Sequence, residues 1–186
     1  MALLAAAVVG YLLGAVNPAY LLARARGIDL RAIGSGNPGA ANAGRALGRR
    51  TGVLVAVLDV AKGAVPAAVF AWGDHRWGLV AGLAAVAGHI TSPWLRGKGG
   101  KGVATAGGAV LGVHPMWVVV VLVTWLVVLG VSRWIALASM CAAGSVLVIA
   151  VVTGRDVWWA AVIAVVVIAR HTGNVLERLA QARGDA

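Results

Sequence analysis

The chain alternates long apolar runs with short polar segments. The apolar runs cover residues 2–23, 51–72, 77–94, 103–113, 115–131, 134–152 and 157–169. A helix needs about 20 apolar residues to cross a bilayer. The shortest run, residues 103–113, reaches only about 17 Å as a helix because each residue adds 1.5 Å. The pattern nevertheless predicts that residues 1–186 form one all-α integral membrane domain with seven transmembrane helices.

Basic residues are distributed unequally between the segments that separate these runs. If all seven runs cross and the N-terminus lies outside, thirteen Lys and Arg side chains fall on one face of the membrane and two, Arg76 and Arg155, on the other. If the run of residues 103–113 only enters and returns, the division is ten against five. Cytoplasmic loops are enriched in Lys and Arg. The sequence therefore predicts seven spans, an outside N-terminus and cytoplasmic segments at residues 24–50, 95–102 and 171–186.

Composition excludes several classes of protein. The chain is 61% hydrophobic and 12% charged, whereas soluble domains average about 45–50% and about 25%, so we expect no extramembrane domain. The net charge is +10, but the bases lie between apolar runs, which favours lipid headgroups or a phosphorylated substrate over nucleic acid as the counter-charge. The single cysteine, Cys141, excludes disulfides and cysteine zinc clusters. We predict neither a metal nor a cofactor.

The first long polar segment is rich in glycine. Gly34, Gly36 and Gly39 match the pattern G-x-G-x-x-G, but a dinucleotide-binding fold needs a parallel sheet that this chain cannot build. Two interpretations remain open: a flexible linker that follows the positive-inside rule, or a loop whose backbone N–H groups converge on an anion. In the second case, the side chains that add donors are Ser35, Asn37, Asn42 and Arg45.

The polar segment of residues 96–102 combines glycines and lysines and leads directly into an apolar run. Glycines let an anion approach the backbone, Lys98 and Lys101 supply charge, and a helix N-terminus attracts anions. The segment predicts a phosphate-binding loop, although it lacks the Walker frame because Gly102 follows Lys101. His89, near the end of the preceding run, is either a ligand of the same site or a packed, hydrogen-bonded histidine.

Further polar residues lie within or beside the apolar runs. Asp59 and Lys62 are three residues apart and share a helix face, either as an ion pair that fixes helix packing or as catalytic groups. His171 and Asn174 follow the last run and share a face if the helix continues. The many Gly and Ala residues inside the runs favour close helix packing over a substrate path.

Together these segments resemble the PlsY-type bacterial glycerol-3-phosphate acyltransferases. The segments that carry the resemblance are 34–45, 59–63, 88–89, 98–105 and 170–174, and the match extends over residues 10–180. The resemblance implies a seven-span enzyme of the bacterial inner membrane with its active site facing the cytoplasm. It further implies transfer of a fatty acyl group from acyl phosphate to position 1 of sn-glycerol 3-phosphate, giving lysophosphatidic acid and phosphate.

The resemblance also implies roles for individual residues. The catalytic residues that it implies are Ser35, Arg45, Lys101, His171 and Asn174. The residues that it implies for binding the substrate phosphate are Gly36, Asn37, Asn42, Lys98, Gly99, Gly100 and Gly102. The chain has no H-x-x-x-x-D sequence, the base of acyl-CoA-dependent acyltransferases. An acyl phosphate carries an activated leaving group, so alignment and charge neutralisation replace a strong protein base.

The sequence departs from the family pattern at four places. Ala41 stands in place of the usual threonine, Gly97 in place of an aromatic residue and Glu177 in place of an arginine. The usual terminal Gly-x-Glu is shortened or shifted at the C-terminus. None of these changes removes a predicted phosphate ligand. The alternatives to an active enzyme are an inactive paralogue, or a transporter or binding protein for a phosphorylated solute or lipid, although no inverted repeat of the transporter kind is visible.

Overall fold

The computed structural model describes residues 1–184, and residues 185–186, the end of the tail predicted to be cytoplasmic, lie outside the described residues. Within the described chain all regular structure is helical. Two short 3₁₀ turns, Leu30–Ala32 and Pro93–Leu95, lie in the polar segments. The α-helices are α1 Ala2–Ala15, α2 Pro18–Arg24, α3 Ala40–Leu47, α4 Arg49–Gly73, α5 His75–Ile90, α6 Val103–Val113, α7 Trp117–Ser132, α8 Ile135–Thr153, α9 Val157–Ala169 and α10 Thr172–Arg183.

The helices confirm the prediction of an all-α membrane protein. Four segments of residues 1–184 are long and apolar enough to cross a bilayer, namely Ala2–Arg24, Arg49–Gly73, His75–Leu95 and Ile135–Thr153. The pair α9 and α10, bent by 40°, gives a fifth if it is counted as one span. The apolar helices α6 and α7 are shorter. Helices satisfy their own backbone hydrogen bonds, which is what a bilayer interior requires.

The first apolar run is interrupted at Asn17, between α1 and α2. Pro18 has no N–H, and the Tyr20 N–H donates to the Asn17 side chain at 2.8 Å, so the Val16 carbonyl loses its partner within the helix. The Lys62 ammonium donates to that carbonyl at 2.7 Å, and Ser92 Oγ donates to the Ala15 carbonyl at 2.6 Å. Neighbouring helices therefore satisfy the carbonyls that the break releases, as a break at membrane depth requires.

Small residues bring the helices of the first compact unit, Met1–Pro115, into direct backbone contact. A Cβ built on Gly88 of α5 would overlap the Tyr11 carbonyl of α1, and one on Gly108 of α6 would overlap the Val60 carbonyl of α4. Glycine is therefore required at both crossings. The preference for close packing over a substrate path is borne out for these glycines.

The second compact unit begins at Met116. Its helix α7 buries only Trp117, whereas α8 buries small and aliphatic residues along its length and α9 buries Trp159 together with such residues. Most of the α7 surface is thus apolar and exposed, as expected for a helix that faces lipid. The prediction of a single domain over residues 1–186 stays a prediction.

Candidate active site

The first glycine-rich segment is a turn that exposes Ser35. The Gly36 N–H donates to the Ile33 carbonyl at 3.0 Å, which closes a four-residue turn with Gly34 and Ser35 in its centre. Gly34 has φ +56° and Gly36 has φ +66°, a backbone region that glycine occupies without steric cost. The turn places the Ser35 side chain on the surface. The segment is therefore an ordered turn in this structure, rather than the flexible linker that the sequence left open.

The buried side chain of Asn42 in α3 forms hydrogen bonds to the backbone of this turn and of the residues before it. Its side-chain Nδ2 donates to the Leu30 carbonyl at 3.0 Å and to the Ile33 carbonyl at 2.9 Å, and the residue is only 1% exposed. Both amide hydrogens of the side chain are thus used inside the protein. Asn42, which was predicted as a phosphate ligand, therefore bonds to the backbone of the loop and stabilises its conformation.

Arg45 lies one helical turn after Asn42, beside the same turn. A Cβ built on Gly34 would lie 3.7 Å from Arg45 Nη1 and 2.5 Å from Asn42 Oδ1, so these side chains pack around Gly34. Arg45 is exposed. The structure therefore brings the predicted residues Ser35 and Arg45 together on one small surface.

The remainder of this loop is fixed by asparagines. Asn17 at the break between α1 and α2 donates from Nδ2 to the Pro38 carbonyl at 3.0 Å. Asn37 is half-buried, and its Nδ2 lies 2.8 Å from where a Cβ on Gly39 would be. The contact of Asn17 with Pro38 was not predicted. Its sequence signal is the Asn-Pro pair inside an apolar run, which marks a helix N-cap.

The second glycine-rich segment is held by backbone hydrogen bonds to the end of α5. The Gly99 N–H donates to the Ile90 carbonyl at 2.9 Å, and the Gly100 N–H donates to the His89 carbonyl at 3.1 Å. A Cβ on Gly99 would overlap the His89 carbonyl, and one on Gly100 would overlap His89 Nε2. These glycines therefore let the loop lie directly against α5, and their N–H groups bond to the protein.

The two lysines of this segment lie on either side of the buried glycines. Lys98 is exposed and Lys101 is half-buried. Gly102 has φ +81° and is the N-cap of α6, which begins at Val103. Lys101 thus directly precedes the N-cap of α6 and lies next to the positive end of that helix.

A buried polar cluster lies beneath this loop. Asp59 and Lys62 form an ion pair at 2.9 Å. His89 Nδ1 lies 3.6 Å from Asp59 Oδ1 and 3.2 Å from Thr105 Oγ1. His89 is 4% exposed, so it is a packed, hydrogen-bonded histidine. Asp59 and Lys62 form the ion pair that the sequence allowed.

The remaining predicted site residues, His171 and Asn174, belong to the second compact unit. His171 is 3% exposed, and its Nδ1 lies 2.7 Å from the Val167 carbonyl. A carbonyl only accepts hydrogen bonds, so Nδ1 carries the proton and Nε2 is the acceptor of the neutral ring. Asn174 is half-buried in the first turn of α10.

Outside the membrane-spanning helices, one ion pair lies on the loop before the Ser35 turn. Asp29 and Arg31 are joined at 2.8 Å, with both side chains about half exposed at 48% and 47%. The hydrogen bond from Arg31 lowers the pKa of the Asp29 carboxyl from 3.8 to about 2. The carboxylate is therefore charged at neutral pH and neutralises one base of this segment.

Comparison with known proteins decides the family. The family model described as glycerol-3-phosphate acyltransferase matches residues 4–181. The chain belongs to this family. A glycerol-3-phosphate acyltransferase of Geobacter sulfurreducens is 43% identical over 90% of this chain and 89% of the relative. That of Aquifex aeolicus is 42% identical, over 89% of each chain.

Solved structures of this family show the same fold. The crystal structure of PlsY, an integral membrane glycerol 3-phosphate acyltransferase, in its glycerol 3-phosphate form matches with a TM-score of 0.93 and 38% identity. The alignment covers 98% of this chain and 94% of the PlsY chain. The lysophosphatidic acid form matches with a TM-score of 0.90 and 36% identity, with the same coverage. The resemblance to PlsY-type acyltransferases is confirmed, and the chain is a multi-pass membrane protein.

Proposed function

We propose that this protein transfers a fatty acyl group from acyl phosphate to the 1-hydroxyl of sn-glycerol 3-phosphate. The hydroxyl oxygen bonds to the acyl carbon, the bond from that carbon to the phosphate oxygen breaks, and the hydroxyl proton leaves with the phosphate. The products are lysophosphatidic acid and inorganic phosphate. The observation that carries the proposal is the pair of ordered glycine loops, which place Arg45 beside Ser35 and Lys101 beside the N-terminus of α6.

The choice of acyl phosphate as donor rests on the resemblance to PlsY-type enzymes and on the absence of a histidine–aspartate base motif. A carboxylic–phosphoric anhydride already has a good leaving group, so the site has to align the reactants and neutralise their phosphate charges. The two loops supply cations for this, and no H-x-x-x-x-D base is present in the sequence. A phosphate oxygen of a substrate accepts the hydroxyl proton.

We assign the phosphate of glycerol 3-phosphate to Arg45 and Lys101, with Lys98 adding positive charge. Ser35 supplies a hydroxyl at the tip of its turn. Gly99 and Gly100 contribute by letting the lysine loop pack on α5, because their N–H groups are bonded to carbonyls of that helix. Gly36, Asn37 and Asn42 likewise stabilise the conformation of the first loop, and Gly102 is the N-cap of α6.

For His171 and Asn174 we propose contacts with the substrates. Because His171 Nδ1 donates to the Val167 carbonyl, its Nε2 is the atom that accepts a proton or a hydrogen bond in the neutral ring. Asn174 follows three residues later and offers both a donor and an acceptor. His171→Ala and Asn174→Ala are each expected to lower kcat/KM.

The proposed topology has seven spans, with α6 and α7 crossing as short helices. The N-terminus lies outside, and residues 24–50, 95–102 and the tail lie on the cytoplasmic face of the bacterial inner membrane. The charge distribution of thirteen bases against two supports this orientation. Labelling of single cysteines at positions 98 and 183 from opposite sides of the membrane would contradict it.

The deciding experiment uses the purified full chain in detergent. Acyl phosphate with glycerol 3-phosphate is expected to give lysophosphatidic acid, and acyl-CoA with glycerol 3-phosphate is expected to give none. Turnover with acyl-CoA and none with acyl phosphate, each in the presence of glycerol 3-phosphate, would overturn the donor assignment. Binding of glycerol 3-phosphate without turnover of either donor would favour an inactive paralogue or a phosphate-binding membrane protein.

A further inference from the structure

The break in the first span is linked to the loop that carries Ser35. Asn17 accepts from the Tyr20 N–H at 2.8 Å and donates to the Pro38 carbonyl at 3.0 Å. It is 4% exposed. Asn17 therefore has two separable functions: its oxygen caps α2, and its nitrogen holds the first glycine loop.

The same break is linked to the buried ion pair of α4. Lys62 donates to the Val16 carbonyl at 2.7 Å and pairs with Asp59 at 2.9 Å. The side chains of Lys62 and Asp59 are 8% and 4% exposed. Buried charges at membrane depth are costly, and an apolar pair of similar volume is often as stable as a buried ion pair. Packing alone does not account for these charges.

The ion pair continues to the loop that carries Lys101. Asp59 lies 3.6 Å from His89 Nδ1, and Thr105 Oγ1 lies 3.2 Å from the same nitrogen. These neighbours fix the imidazole in one orientation, with Nε2 against Gly100. The His89 backbone carbonyl also accepts from the Gly100 N–H at 3.1 Å. The ring and backbone of His89 thus both support the second loop.

We propose that Asn17, Lys62, Asp59 and His89 form a buried polar network that sets the positions of the two glycine loops relative to each other, so that both bind one glycerol 3-phosphate. The inference rests on the proposed function of these loops. The four side chains are positioning residues, since they act through Pro38 and Gly100. The network runs through the break in the first span, because the Val16 carbonyl that the break releases accepts from Lys62.

The first test is a double-mutant cycle between the ends of the network. Asn17→Asp keeps the oxygen that caps α2 and loses the donor to Pro38. His89→Asn keeps a polar group towards Asp59 and loses the ring against Gly100. Each variant is expected to raise KM for glycerol 3-phosphate by about 3- to 20-fold at saturating acyl phosphate, with a smaller change in kcat. If the network couples the loops, the KM increase of the double variant differs by more than about twofold from the product of the increases of the two single variants.

A second test separates positioning from packing. Asp59→Asn with Lys62→Gln removes both charges but keeps an amide that can donate to the Val16 carbonyl, so thermal stability is expected to stay close to that of the wild type. KM for glycerol 3-phosphate is nevertheless expected to rise by about 3- to 20-fold. The matched control is Ser139→Ala in α8, which removes a buried hydroxyl bonded at 2.8 Å to its own helix and is expected to leave KM unchanged.

The proposal is overturned if the paired neutral variant has the KM of the wild type. It is also overturned if the KM increase of the double variant of Asn17 and His89 equals the product of the two single increases to within about twofold. These results would leave wild-type turnover intact, and so they would not touch the proposed function. Binding of glycerol 3-phosphate to the wild type is measured in parallel by calorimetry. A wild-type protein that neither binds nor acylates it would contradict the proposed function and this inference together.

Discussion

The two glycine loops are held in place by different kinds of contact. The loop with Ser35 depends on side chains, because the amides of Asn42 and Asn17 bond to its backbone carbonyls. The loop with Lys101 depends on its own backbone, because Gly99 and Gly100 donate to carbonyls of α5. Positive φ occurs in both loops, at Gly34 and Gly102 for example, but only the second loop has glycines, Gly99 and Gly100, that lie directly against a neighbouring helix.

This difference predicts how each loop responds to substitution. Removing a side chain that holds the first loop removes hydrogen bonds to its backbone carbonyls. Adding a side chain to the second loop forces the backbone away from α5. Truncation of the surrounding side chains thus tests what holds the first loop, and enlargement of Gly99 or Gly100 tests what holds the second. Variants that reverse this pattern would contradict the comparison.

The largest effects are expected for the two cations that the loops carry. A charge-assisted hydrogen bond contributes about 1.5–3 kcal/mol, so Lys101→Ala and Arg45→Ala should each lower kcat/KM by roughly 10- to 150-fold. Lys101→Arg should restore activity only in part, since a planar guanidinium does not replace a compact ammonium. Steady-state kinetics with purified protein measure both.

The control for these variants is Arg76→Ala, which removes an exposed base from the first turn of α5. It should leave the kinetics nearly unchanged. Equal turnover and equal affinity for glycerol 3-phosphate in Lys101→Ala and the wild type would show that the bases of the loops act only as topology signals.

Gly99→Ala tests the backbone contact of the second loop and should have the next largest effect. Its Cβ would overlap the His89 carbonyl, and such overpacking costs about 1–3 kcal/mol. KM for glycerol 3-phosphate should therefore rise by roughly 5- to 100-fold. Gly107→Ala is the matched control, since nothing lies within 4 Å of its Cβ position. A larger loss in Gly107→Ala than in Gly99→Ala would refute the assignment.

Asn42→Ala tests the side-chain contact of the first loop. The carbonyls of Leu30 and Ile33 lose their shared side-chain donor and keep one backbone donor each. The loss of two hydrogen bonds, each contributing about 0.5–1.5 kcal/mol, costs about 1–3 kcal/mol. Because Arg45 stays in place, kcat/KM is expected to fall by only about 5- to 30-fold, and thermal stability should fall as well. Ser145→Ala in α8 serves as the control. An unchanged melting temperature for Asn42→Ala would argue against its holding the turn.

The smallest effect is expected from the ion pair of Asp29 and Arg31. The pKa of Asp29 is lowered to about 2, so its contribution to stability is present above its ordinary pKa of 3.8 and is lost as the pH falls towards 2. Both side chains are half exposed, and exposed pairs contribute little. Asp29→Asn should shift the melting temperature by at most a few degrees at pH 7, and less at pH 2.

The sequence by itself determined the helices and the chemistry of the loops. Five of its seven apolar runs coincide with helices to within about two residues, and residues 103–113 form α6 with the predicted bounds. The first run is divided into α1 and α2, and α5 ends four residues before the run of residues 77–94 does. This works because a bilayer leaves helices as the simplest structure that satisfies the backbone. The polar segments around Ser35, Lys101 and His171, taken together with residues 59–63, also carried the resemblance to the family, since such motifs are local in the chain.

Only the tertiary structure decided what the polar residues do. Asn42 is one residue among several donors in the sequence, yet folding buries it and directs both amide hydrogens to carbonyls 9 and 12 residues away. Asn17 and Lys62 are 45 positions apart in the numbering, and they act on the same helix break. His89 meets Thr105 only because α5 and α6 pack together. Such partners depend on distances between helices, and hydrophobic periodicity carries no information on them.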